Sequence, residues 1–570
     1  MSRRLTGSAL LLAFVMVAVA CPGSGGGGAS GSSGVSGGPT GSSSSPPPAV
    51  TAKALARTVC AQTPHEVLLR TWHGTRLDRS GDIQIIPKFP NFVNGGLTHA
   101  TPFDYTQQVP LLLYGPGYVK PGVYDKAITL ADLAPTEGAL LHFDFPAPDG
   151  QAQTQALLPA ADRPDPKLLV TLIWDSGGLD VLNTWKNDWP YLKSLMAKGA
   201  WFDHVTVGSS PSNTPTGHAE IGTGAFPMHN GMVDEYLRLN GRIQKPNENG
   251  PQFMIEPTLA DVYDRAMGNL PLVGGIATLS AHIMMMSHGT GWGGGDADLA
   301  ITREKAFAAT AGAESTTWNL TSDMAPFYSL PSYVNDLPPI TKYVDALDRA
   351  DGALDGKWRQ NDIAQLSNGF DTPARTPFQT ALIEKVISTE GFGADDVPDL
   401  LDLNYKAIDT IGHLFSANGI EMSDAVRYQD AALHELVDFL NQNVGKGNWV
   451  MAVTADHGTQ LDPAVSGAFM IDINKIDSSI RATFDADGDG VPLIERVRPT
   501  EIWLNDAELA DNGFTLTQVS QFIMGLTQQQ TYKNQNLPEP GHEHDLVFDA
   551  ALPSSILSKL PCLPEARAGT

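Results

Sequence analysis

The stretch KLLVTLIWD, residues 167–175, is a nearly continuous aliphatic run that ends in an aspartate. A second stretch, GNWVMAVTAD at residues 447–456, has the same character and also ends in an aspartate. Runs without polar alternation are typical of parallel strands that are buried on both faces of a sheet. Ligands bind such sheets at the carboxyl ends of the strands, so Asp175 and Asp456 are predicted to lie at a functional edge.

The chain around these strands predicts an α/β fold with a central, mostly parallel sheet flanked by helices. From about residue 51, short apolar runs alternate with helical stretches. VPLLLYGPG (109–117) is a third candidate strand, and DAVRYQDAALHELVDFLNQN (424–443) has the apolar spacing of a helix that covers the sheet. Residues 240–400 are rich in Gly, Asn and Pro, which favours inserted loops or a cap over the sheet.

Charge excludes some classes of partner. The 570 residues are 42% hydrophobic and carry 63 acidic against 37 basic side chains, a net charge of −26. This balance argues against nucleic acids or an anionic membrane surface as partners, because both bind proteins through basic patches. Small anionic substrates remain compatible with it, since bound metal ions reverse the sign of a local field.

The N-terminus has the features of an export signal. MSRR supplies positive charge, LTGSALLLAFVMVAVA an apolar region, and AVAC a small-residue cleavage site that ends in Cys21. We interpret residues 1–21 as a bacterial lipoprotein signal with lipid on Cys21, and plain secretion is the alternative. Residues 22–50 are almost entirely Gly, Ser and Pro, a flexible tether. The protein is thus expected in the periplasm, at the outer membrane or at the cell surface, and on a membrane only through this anchor.

Two further cysteines, Cys60 and Cys562, flank the folded domain predicted over residues 51–570. A disulfide between them would tie the two ends of the domain together in a compartment where disulfides persist. Two unpaired buried thiols are the alternative.

Several segments carry Asp and His in positions that could converge. DTIGH places Asp409 and His413 four residues apart, so one helical turn puts both on one face. TADHG places Asp456 beside His457 at a strand end. Each segment alone also fits a helix cap or a core histidine. Together with Asp175 they predict a two-metal site, because Asp and His supply the oxygen and nitrogen ligands of zinc and similar divalent ions.

SNTPTGHAEIGTG, residues 212–224, reads as the start of a helix. Pro215 suits the first turn, with Thr214 just before it in the capping position. A helix N-terminus attracts anions, and metal coordination activates a hydroxyl placed there. The stretch lacks the Gly-Lys-Ser/Thr ending of a Walker loop, and the chain has no Cys-x-Pro-x-Arg motif.

Together LIWDSGG, SNTPTGHAEIGTGAFPMHNGM, DTIGH and TADHG resemble the alkaline phosphatase superfamily, in particular its nucleotide pyrophosphatase/phosphodiesterase and phosphate-irrepressible alkaline phosphatase branch. The resemblance implies an alkaline-phosphatase-like sandwich that hydrolyses small phosphate esters with two Zn²⁺ or other divalent ions. It also implies that Thr214 is the nucleophile and forms a phosphothreonine intermediate. The implied ligands of one ion are Asp409, His413 and His99, and those of the other are Asp175, Asp456, His457 and Thr214.

The position of His99 implies a circular permutation. THATPFDYTQQVPLLLYGPGYVKPG (98–122) resembles the segment that carries the last ligand histidine of the family, which normally follows the Asp-His-Gly motif. His542, in GHEHDLVFDAALP, is the alternative ligand. The implied organisation begins with a permuted segment (51–145) and a joining linker (146–167). A metal-site core (168–460) and a C-terminal part (461–570) follow.

Two departures from the family pattern bear on the substrate. No Lys or Arg occurs between Arg265 and Arg303, where relatives specialised for monoesters carry a Lys-x-Arg pair; His282 and His288 could substitute. After the nucleophile helix, Asp234 or Glu235 stands where relatives have an asparagine. A phosphodiesterase is therefore the leading hypothesis. The alternatives are an alkaline phosphomonoesterase and an inactive surface binding protein on a phosphatase scaffold.

The stretch DADGDG, residues 485–490, is a separate signal. Asp485, Asp487 and Asp489 reproduce the first half of an EF-type calcium loop, but Arg496 stands at the twelfth position, where the loop needs an acid. Calcium binding and a solvated acidic turn are both compatible with this pattern.

Overall fold

The computed structural model describes residues 46–93, 99–246, 251–278, 280–303, 317–485, 487–533 and 538–568. The predicted signal at 1–21 with Cys21, and residues 22–45 of the predicted tether, lie outside the described residues. Within the described ranges, none of the helices combines the length and the apolar character needed to span a bilayer.

The strands, in chain order, are β1 (Ile83–Pro87), β2 (Phe92–Val93), β3 (Leu111–Tyr114), β4 (Gly122–Tyr124), β5 (Ile128–Thr129), β6 (Leu168–Trp174), β7 (Ala200–Phe202), β8 (Val205–Thr206), β9 (Leu237–Leu239) and β10 (Arg242–Gln244). They continue with β11 (Val273–Ile276), β12 (Leu299–Ile301), β13 (Lys357–Trp358), β14 (Asn361–Asp362), β15 (Asp399–Tyr405), β16 (Trp449–Thr454), β17 (Met470–Ile471), β18 (Ile494–Val497), β19 (Glu501–Leu504) and β20 (Phe548–Pro553).

The helices are α1 (Ala52–Gln62), α2 (His65–His73), α3 (Asp104–Gln107), α4 (Leu133–Leu140), α5 (Leu179–Thr184), α6 (Pro190–Met196), α7 (Thr214–Thr223), α8 (Pro227–Asn230), α9 (Leu259–Ala266) and α10 (Ser280–Met286). They continue with α11 (Thr341–Asp348), α12 (Arg375–Val386), α13 (Ala407–Phe415), α14 (Ile420–Leu440), α15 (Pro463–Ser466), α16 (Ile473–Phe484), α17 (Asp506–Asp511), α18 (Leu516–Met524), α19 (Gln528–Thr531) and α20 (Pro564–Ala568).

An eight-stranded sheet in the order β12-β11-β15-β6-β16-β3-β7-β4 forms the centre of the fold. The strands from β12 to β16 are parallel, and β3 runs antiparallel to both of its neighbours, β16 and β7. The α/β fold and the three predicted strands are confirmed, since the predicted runs coincide with β3, β6 and β16.

Strand β6 is buried on both faces, as its aliphatic sequence predicts. Leu168, Val170 and Leu172 pack into a cluster that includes Leu433 of α14, whereas Ile173 packs into the opposite cluster, to which α4, α7 and α9 contribute. Because side chains alternate along a strand, this division places helices on both faces of the sheet. The predicted helix at 424–443 is confirmed as α14, with an earlier start.

A second, four-stranded sheet joins the two ends of the chain. Strand β1 lies between β19 and β20 and is antiparallel to both. Cys60 of α1 forms a disulfide with Cys562, just before α20, so the predicted pairing is confirmed and the alternative of two free thiols is wrong.

The segment 240–400 is more than the predicted cap, because it also contributes β11 and β12 to the central sheet. These strands were not predicted from the sequence because both are short, and because Gly274 and Gly275 weaken the apolar pattern of β11. The predicted linker 146–167, all of which is described, contains two short 3₁₀ turns at Thr154–Ala156 and Ala160–Asp162 and an isolated bridge between Leu157 and Val119.

Candidate metal centre and nucleophile

The carboxyl ends of three parallel strands meet at one edge of the central sheet. Asp175 follows β6 directly, Lys406 follows β15 directly, and Asp456 lies two residues beyond β16. The loops that follow the adjacent strands β6 and β16 touch: a Cβ atom on Gly178 would lie 2.5 Å from the Cα of Gly458. Only glycine allows that approach, so the SGG and DHG stretches bring their aspartates together.

Helix α7 carries Thr214 to this edge. Its N-cap is Asn213, whose side chain accepts from the Thr216 amide, while the Thr216 hydroxyl accepts from the Asn213 amide. The prediction that Thr214 caps the helix is therefore wrong by one residue, because the asparagine amide outcompetes the threonine hydroxyl. As the first helical residue, Thr214 is partly exposed between buried neighbours. A Cβ atom on Gly217 would lie 2.3 Å from the Asp456 carbonyl oxygen, so the helix reaches the strand end only with glycine there.

Predicted ligands and one further histidine form three overlapping groups, in each of which the ligand atoms lie within 4.8 Å of one another: His99, Asp409, His413; Asp175, Asp409, His457; and Asp175, His218, Asp456. The first group is the set implied for one ion. The set implied for the other ion, Asp175, Asp456 and His457, is divided between the second and third groups. Asp175 and Asp456 are fully buried, and Asp409 is 5% exposed.

Hydrogen bonds orient two of these histidines. His99 Nδ1 lies 3.2 Å from the Ser212 carbonyl oxygen, and His457 Nδ1 lies 2.9 Å from that of Gly458. A carbonyl requires an N–H, so each ring turns the lone pair of Nε2 toward a carboxylate. Burial and the neighbouring His457 hold the pKa of His99 well below its usual value, which favours the neutral, metal-binding form.

These donors fit divalent cations. The groups combine buried carboxylate oxygens with imidazole nitrogens, and their histidines are fixed by backbone carbonyls, as is usual for metal ligands. The helical spacing predicted for Asp409 and His413 is confirmed by α13, where His413 Nε2 lies 3.4 Å from Asp409 Oδ1.

Sequence reasoning missed Lys406. Its Nζ lies 2.9 Å from Asp175 Oδ2, 2.8 Å from Asp409 Oδ2 and 3.3 Å from Thr214 Oγ1. Burial raises the pKa of Asp409, but the Lys406 and His413 charges overcome this and hold it well below the usual range. Asp175 remains the less compensated carboxylate, because burial and the adjacent Asp456 raise its pKa to about 6. The sequence indicated a role for Lys406 only weakly, through its position directly after an apolar run.

His218 was also missed as part of the site. Its Nδ1 lies 2.9 Å from the Thr214 carbonyl oxygen, and its Nε2 lies 2.9 Å from Asn404 Nδ2, which also donates to Asp175 Oδ2. Since Asn404 Nδ2 is a donor, Nε2 accepts and Nδ1 donates. His218 therefore ties the first turn of α7 to β15, and the four-residue spacing from Thr214 was its signal.

Ser176 forms hydrogen bonds with two of the buried carboxylates. Its hydroxyl donates to Asp409 Oδ1 at 2.8 Å, and its amide donates to Asp456 Oδ1 at 3.1 Å. The residue is buried with φ at +61°, in the left-handed region that non-glycine residues rarely adopt. Such backbone strain persists where surrounding contacts over-determine it, as they do here.

Asp234 and Glu235 are neutralised by a cation from the C-terminal part of the chain. Arg498 Nε lies 2.9 Å from Asp234 Oδ2, and another guanidinium nitrogen lies 3.0 Å from Glu235 Oε2. Asp234 Oδ1 also accepts from Asn213 Nδ2 at 2.6 Å. The expected repulsion of an anionic substrate is thus offset, and the network supports the cap of α7.

Other candidate residues lie apart from these groups. His542 is exposed, 2.7 Å from Asp545, and buried His288 lies 2.6 Å from Asp261. The His282 side chain lies outside the described residues. Asp485 and Asp487 form a possible ligand group with Glu508 rather than with Asp489, whose Oδ1 accepts from the Val491 amide. The EF-type pattern could not anticipate Glu508, which comes from α17.

Comparison with known proteins finds similar phosphoesterases. The model of the type I phosphodiesterase / nucleotide pyrophosphatase family matches residues 169–545. Alkaline phosphatase PafA of Elizabethkingia meningoseptica is 24% identical over 422 residues, covering 63% of this chain and 73% of PafA. Alkaline phosphatase PhoV of Synechococcus elongatus is 22% identical over 340 residues, covering 51% of this chain and 59% of PhoV. The crystal structure of wild-type PafA gives a TM-score of 0.48 at 18% identity, over 68% of this chain and 85% of that chain.

The grouping of His99 with Asp409 and His413 predicts that His99, rather than His542, binds metal. We expect His99→Ala to weaken binding of one divalent ion, because an imidazole nitrogen is removed from the group. Elemental analysis by plasma mass spectrometry after dialysis measures this loss. His542→Ala is the matched control and should keep the wild-type metal content; loss of metal in this variant alone would contradict the prediction.

Proposed function

We propose, from the premise that this chain belongs to the type I phosphodiesterase / nucleotide pyrophosphatase family and hydrolyses phosphate esters with divalent metal, that Thr214 is its nucleophile. The supporting observation is the position of the Thr214 hydroxyl. Its Oγ1 lies 3.3 Å from His457 Nε2 and 3.3 Å from Lys406 Nζ, at the point where the ligand groups meet.

The proposed reaction has two displacements at phosphorus. In the first, Thr214 Oγ1 gives its proton to solvent and bonds to phosphorus, while the bond to the leaving-group oxygen breaks and that oxygen takes up a proton. In the second, a water oxygen bonds to phosphorus and loses a proton, while the bond from phosphorus to Thr214 Oγ1 breaks and that oxygen takes up a proton to restore the hydroxyl. Two divalent ions, when bound by the Asp and His groups, would activate the hydroxyl and stabilise charge on the attacking and leaving oxygens. The mixed oxygen and nitrogen donor set favours Zn²⁺.

In this proposal, neighbouring residues of the chain hold Thr214 in place for attack on phosphorus. Asn213 caps α7 and so sets the first turn, and His218 ties the Thr214 carbonyl to β15. The free amides at the start of α7 add a partial positive charge beside the hydroxyl. A phosphoryl group at Thr214 would therefore face both a helix N-terminus and the Lys406 ammonium.

A phosphodiester is the preferred substrate class in this proposal. A diester carries one negative charge on the transferred group, whereas a monoester carries two near neutral pH. The absent Lys-x-Arg pair removes charge-matched donors that a dianion would require. The Lys406 ammonium, 3.3 Å from Thr214 Oγ1, supplies one cation at another position than the missing Lys-x-Arg pair. This observation favours a phosphomonoesterase as the second candidate.

The nucleophile assignment is tested with Thr214→Ala and Thr214→Ser. We expect Thr214→Ala to lower kcat by about 10³-fold or more, since a nucleophile acts as a unit with its activating groups. Thr214→Ser, which keeps a hydroxyl, should retain activity and accumulate phosphate on the protein when a reaction with an aryl phosphodiester is quenched in acid. Intact-mass measurement detects that adduct.

Metal analysis separates a loss of the nucleophile from a loss of the site. The Thr214→Ala variant should still bind divalent metal, and chelation should inactivate the wild type. Wild-type turnover in Thr214→Ala would eliminate the proposed mechanism. Metal binding without turnover of any ester by the wild type would instead favour the binding-protein alternative.

The role of Lys406 is tested with Lys406→Met and Lys406→Arg. If its ammonium contacts the transferred group, Lys406→Met should lower kcat/KM by about 10²–10³-fold, as for removal of a charged transition-state donor. The loss should be larger for an aryl phosphate monoester than for the diester, because the dianion gains more from the cation. Lys406→Arg should recover part of it. An equal loss for both substrates, accompanied by loss of metal, would show that Lys406 only holds Asp175 and Asp409.

We further propose that the chain is circularly permuted relative to its family. The family match begins at residue 169 and leaves 51–145 outside it. Strand β1 from the N-terminal segment lies between the C-terminal strands β19 and β20, and His99 reaches the ligands of the core. The disulfide at the two ends is compatible with a chain whose ancestral termini lay elsewhere.

Export as a lipoprotein is proposed from the N-terminal sequence, and the Cys60–Cys562 disulfide supports an oxidising compartment. When the chain is produced in a bacterium that processes lipoproteins, we expect wild type in the detergent phase after Triton X-114 partition. Cys21→Ala should move to the aqueous phase because it cannot carry lipid. Cys60→Ser with Cys562→Ser is the matched control and should stay in the detergent phase. A detergent-phase Cys21→Ala protein would contradict the anchor.

A further inference from the structure

We propose that Asp264, Asp296 and Asp298 form a binding site for a divalent cation of the calcium type. The site shares no residue with the groups around Thr214, and it stands independently of the function proposed above. Asp264 lies on α9, and the other two aspartates lie on the loop between α10 and β12. One oxygen from each carboxylate lies within 4.8 Å of the other two.

Burial distinguishes this cluster from an ordinary acidic surface. Asp264 is 3% exposed and Asp298 is 7% exposed, and only Asp296 faces solvent. Two carboxylates withdrawn from water in one place need compensation, because a buried charge loses the solvation that water would supply. Burial, together with Asp296 and Asp261, raises the pKa of Asp264 to about 7, which reflects the unfavourable accumulation of negative charge.

An unpartnered buried atom points to a ligand. Asp264 Oδ1 is fully buried, and no hydrogen-bond donor in the described part of the chain is aligned on it. In the same described part, none of the three carboxylates forms an ion pair with Lys, Arg or His. Buried polar atoms are nearly always paired, so an unpaired oxygen on a carboxylate of this cluster points to a cation as its partner.

The nearby cationic side chains are already engaged elsewhere. His288 Nδ1 lies 2.6 Å from Asp261 Oδ2, so this histidine balances a fourth aspartate rather than the cluster. Arg265 donates to the Gly293 carbonyl oxygen at 3.1 Å. Asp298 accepts from the Gly289 amide at 3.0 Å and from the Ser287 hydroxyl. These bonds to neutral donors leave the carboxylate charges uncompensated.

The donor chemistry selects the class of cation. All three ligands are carboxylate oxygens, which suit Ca²⁺ or Mg²⁺ rather than the softer ions that imidazole binds. Ca²⁺ fits better, because it accepts irregular geometry with additional water and carbonyl ligands, whereas Mg²⁺ demands a near-ideal octahedron. The acidic loop at 485–489 is a weaker candidate: its buried member, Glu508, accepts from Asn512 Nδ2, and Asp487 is exposed.

The position of the loop gives the cation a structural role. The loop continues α10, which packs on α7: a Cβ atom on Gly222 of α7 would lie 2.4 Å from the Met285 carbonyl oxygen. A cation that joins α9 to this loop would fasten α10 against the helix that carries Thr214. Its loss should lower thermal stability without removing any group that contacts substrate.

Thermal unfolding of the double variant Asp264→Asn/Asp298→Asn provides the test. With catalytic ions restored equally in all samples, added Ca²⁺ should raise the Tm of wild type and leave that of the double variant unchanged. Without Ca²⁺, the variant should be at least as stable as wild type, because neutral amides remove the repulsion. The single variant Asp296→Asn, at an exposed position, should weaken the Ca²⁺ response if the double variant does not fold.

Terbium luminescence reports the ion at the site itself. Trp292 lies in the same loop, so tryptophan excitation should sensitise bound Tb³⁺, and Ca²⁺ should displace it. Trp292→Phe should lose most of this emission but keep the Ca²⁺-dependent Tm shift. Asp323→Asn and Asp487→Asn are matched isosteric controls, and both should behave as wild type. A wild type whose Tm ignores Ca²⁺, or a shift lost only in Asp487→Asn, would overturn the proposal.

Discussion

Burial of three carboxylates, Asp175, Asp409 and Asp456, at one edge of the central sheet is the constraint on which the rest of the site depends. Each would be costly in isolation, because a charged group withdrawn from water loses its solvation. The chain meets this cost with donors brought from several directions. Lys406 contacts two of the three, and Ser176 adopts a left-handed backbone conformation to donate to two of them. Divalent ions would complete the compensation.

The same constraint explains why small residues surround the site. A negative cluster of this density can form only if the strand ends and helix α7 approach very closely, and side chains at Gly178 or Gly217 would prevent that approach. Rigidity follows from the same contacts. The Thr214 carbonyl is held through His218 and Asn404, so the proposed nucleophile is fixed by bonds to the scaffold before any substrate arrives.

The sequence predicted those features that a local pattern encodes. The strands ending near Asp175 and Asp456 followed from continuous aliphatic runs, and the helix carrying Asp409 followed from a four-residue spacing. Lys406 and Arg498 could not be predicted in their roles, because a lone cation has no local signature and its partners lie far away in the chain. The strands of segment 240–400 were missed for a different reason, because they are too short to show the hydrophobic pattern of a strand. His99 was identified only through resemblance to a family.

The disulfide between Cys60 and Cys562 has a consequence for how the protein withstands damage. Almost the entire folded chain lies between the two cysteines, 502 residues apart in sequence, so the domain is a covalently closed ring. A single backbone cut within that ring opens it into a linear chain but releases no fragment. His99 on one side and Asp409 on the other would stay in one molecule after such a cut. A nicked molecule would therefore keep its site assembled for as long as the bridge remains oxidised.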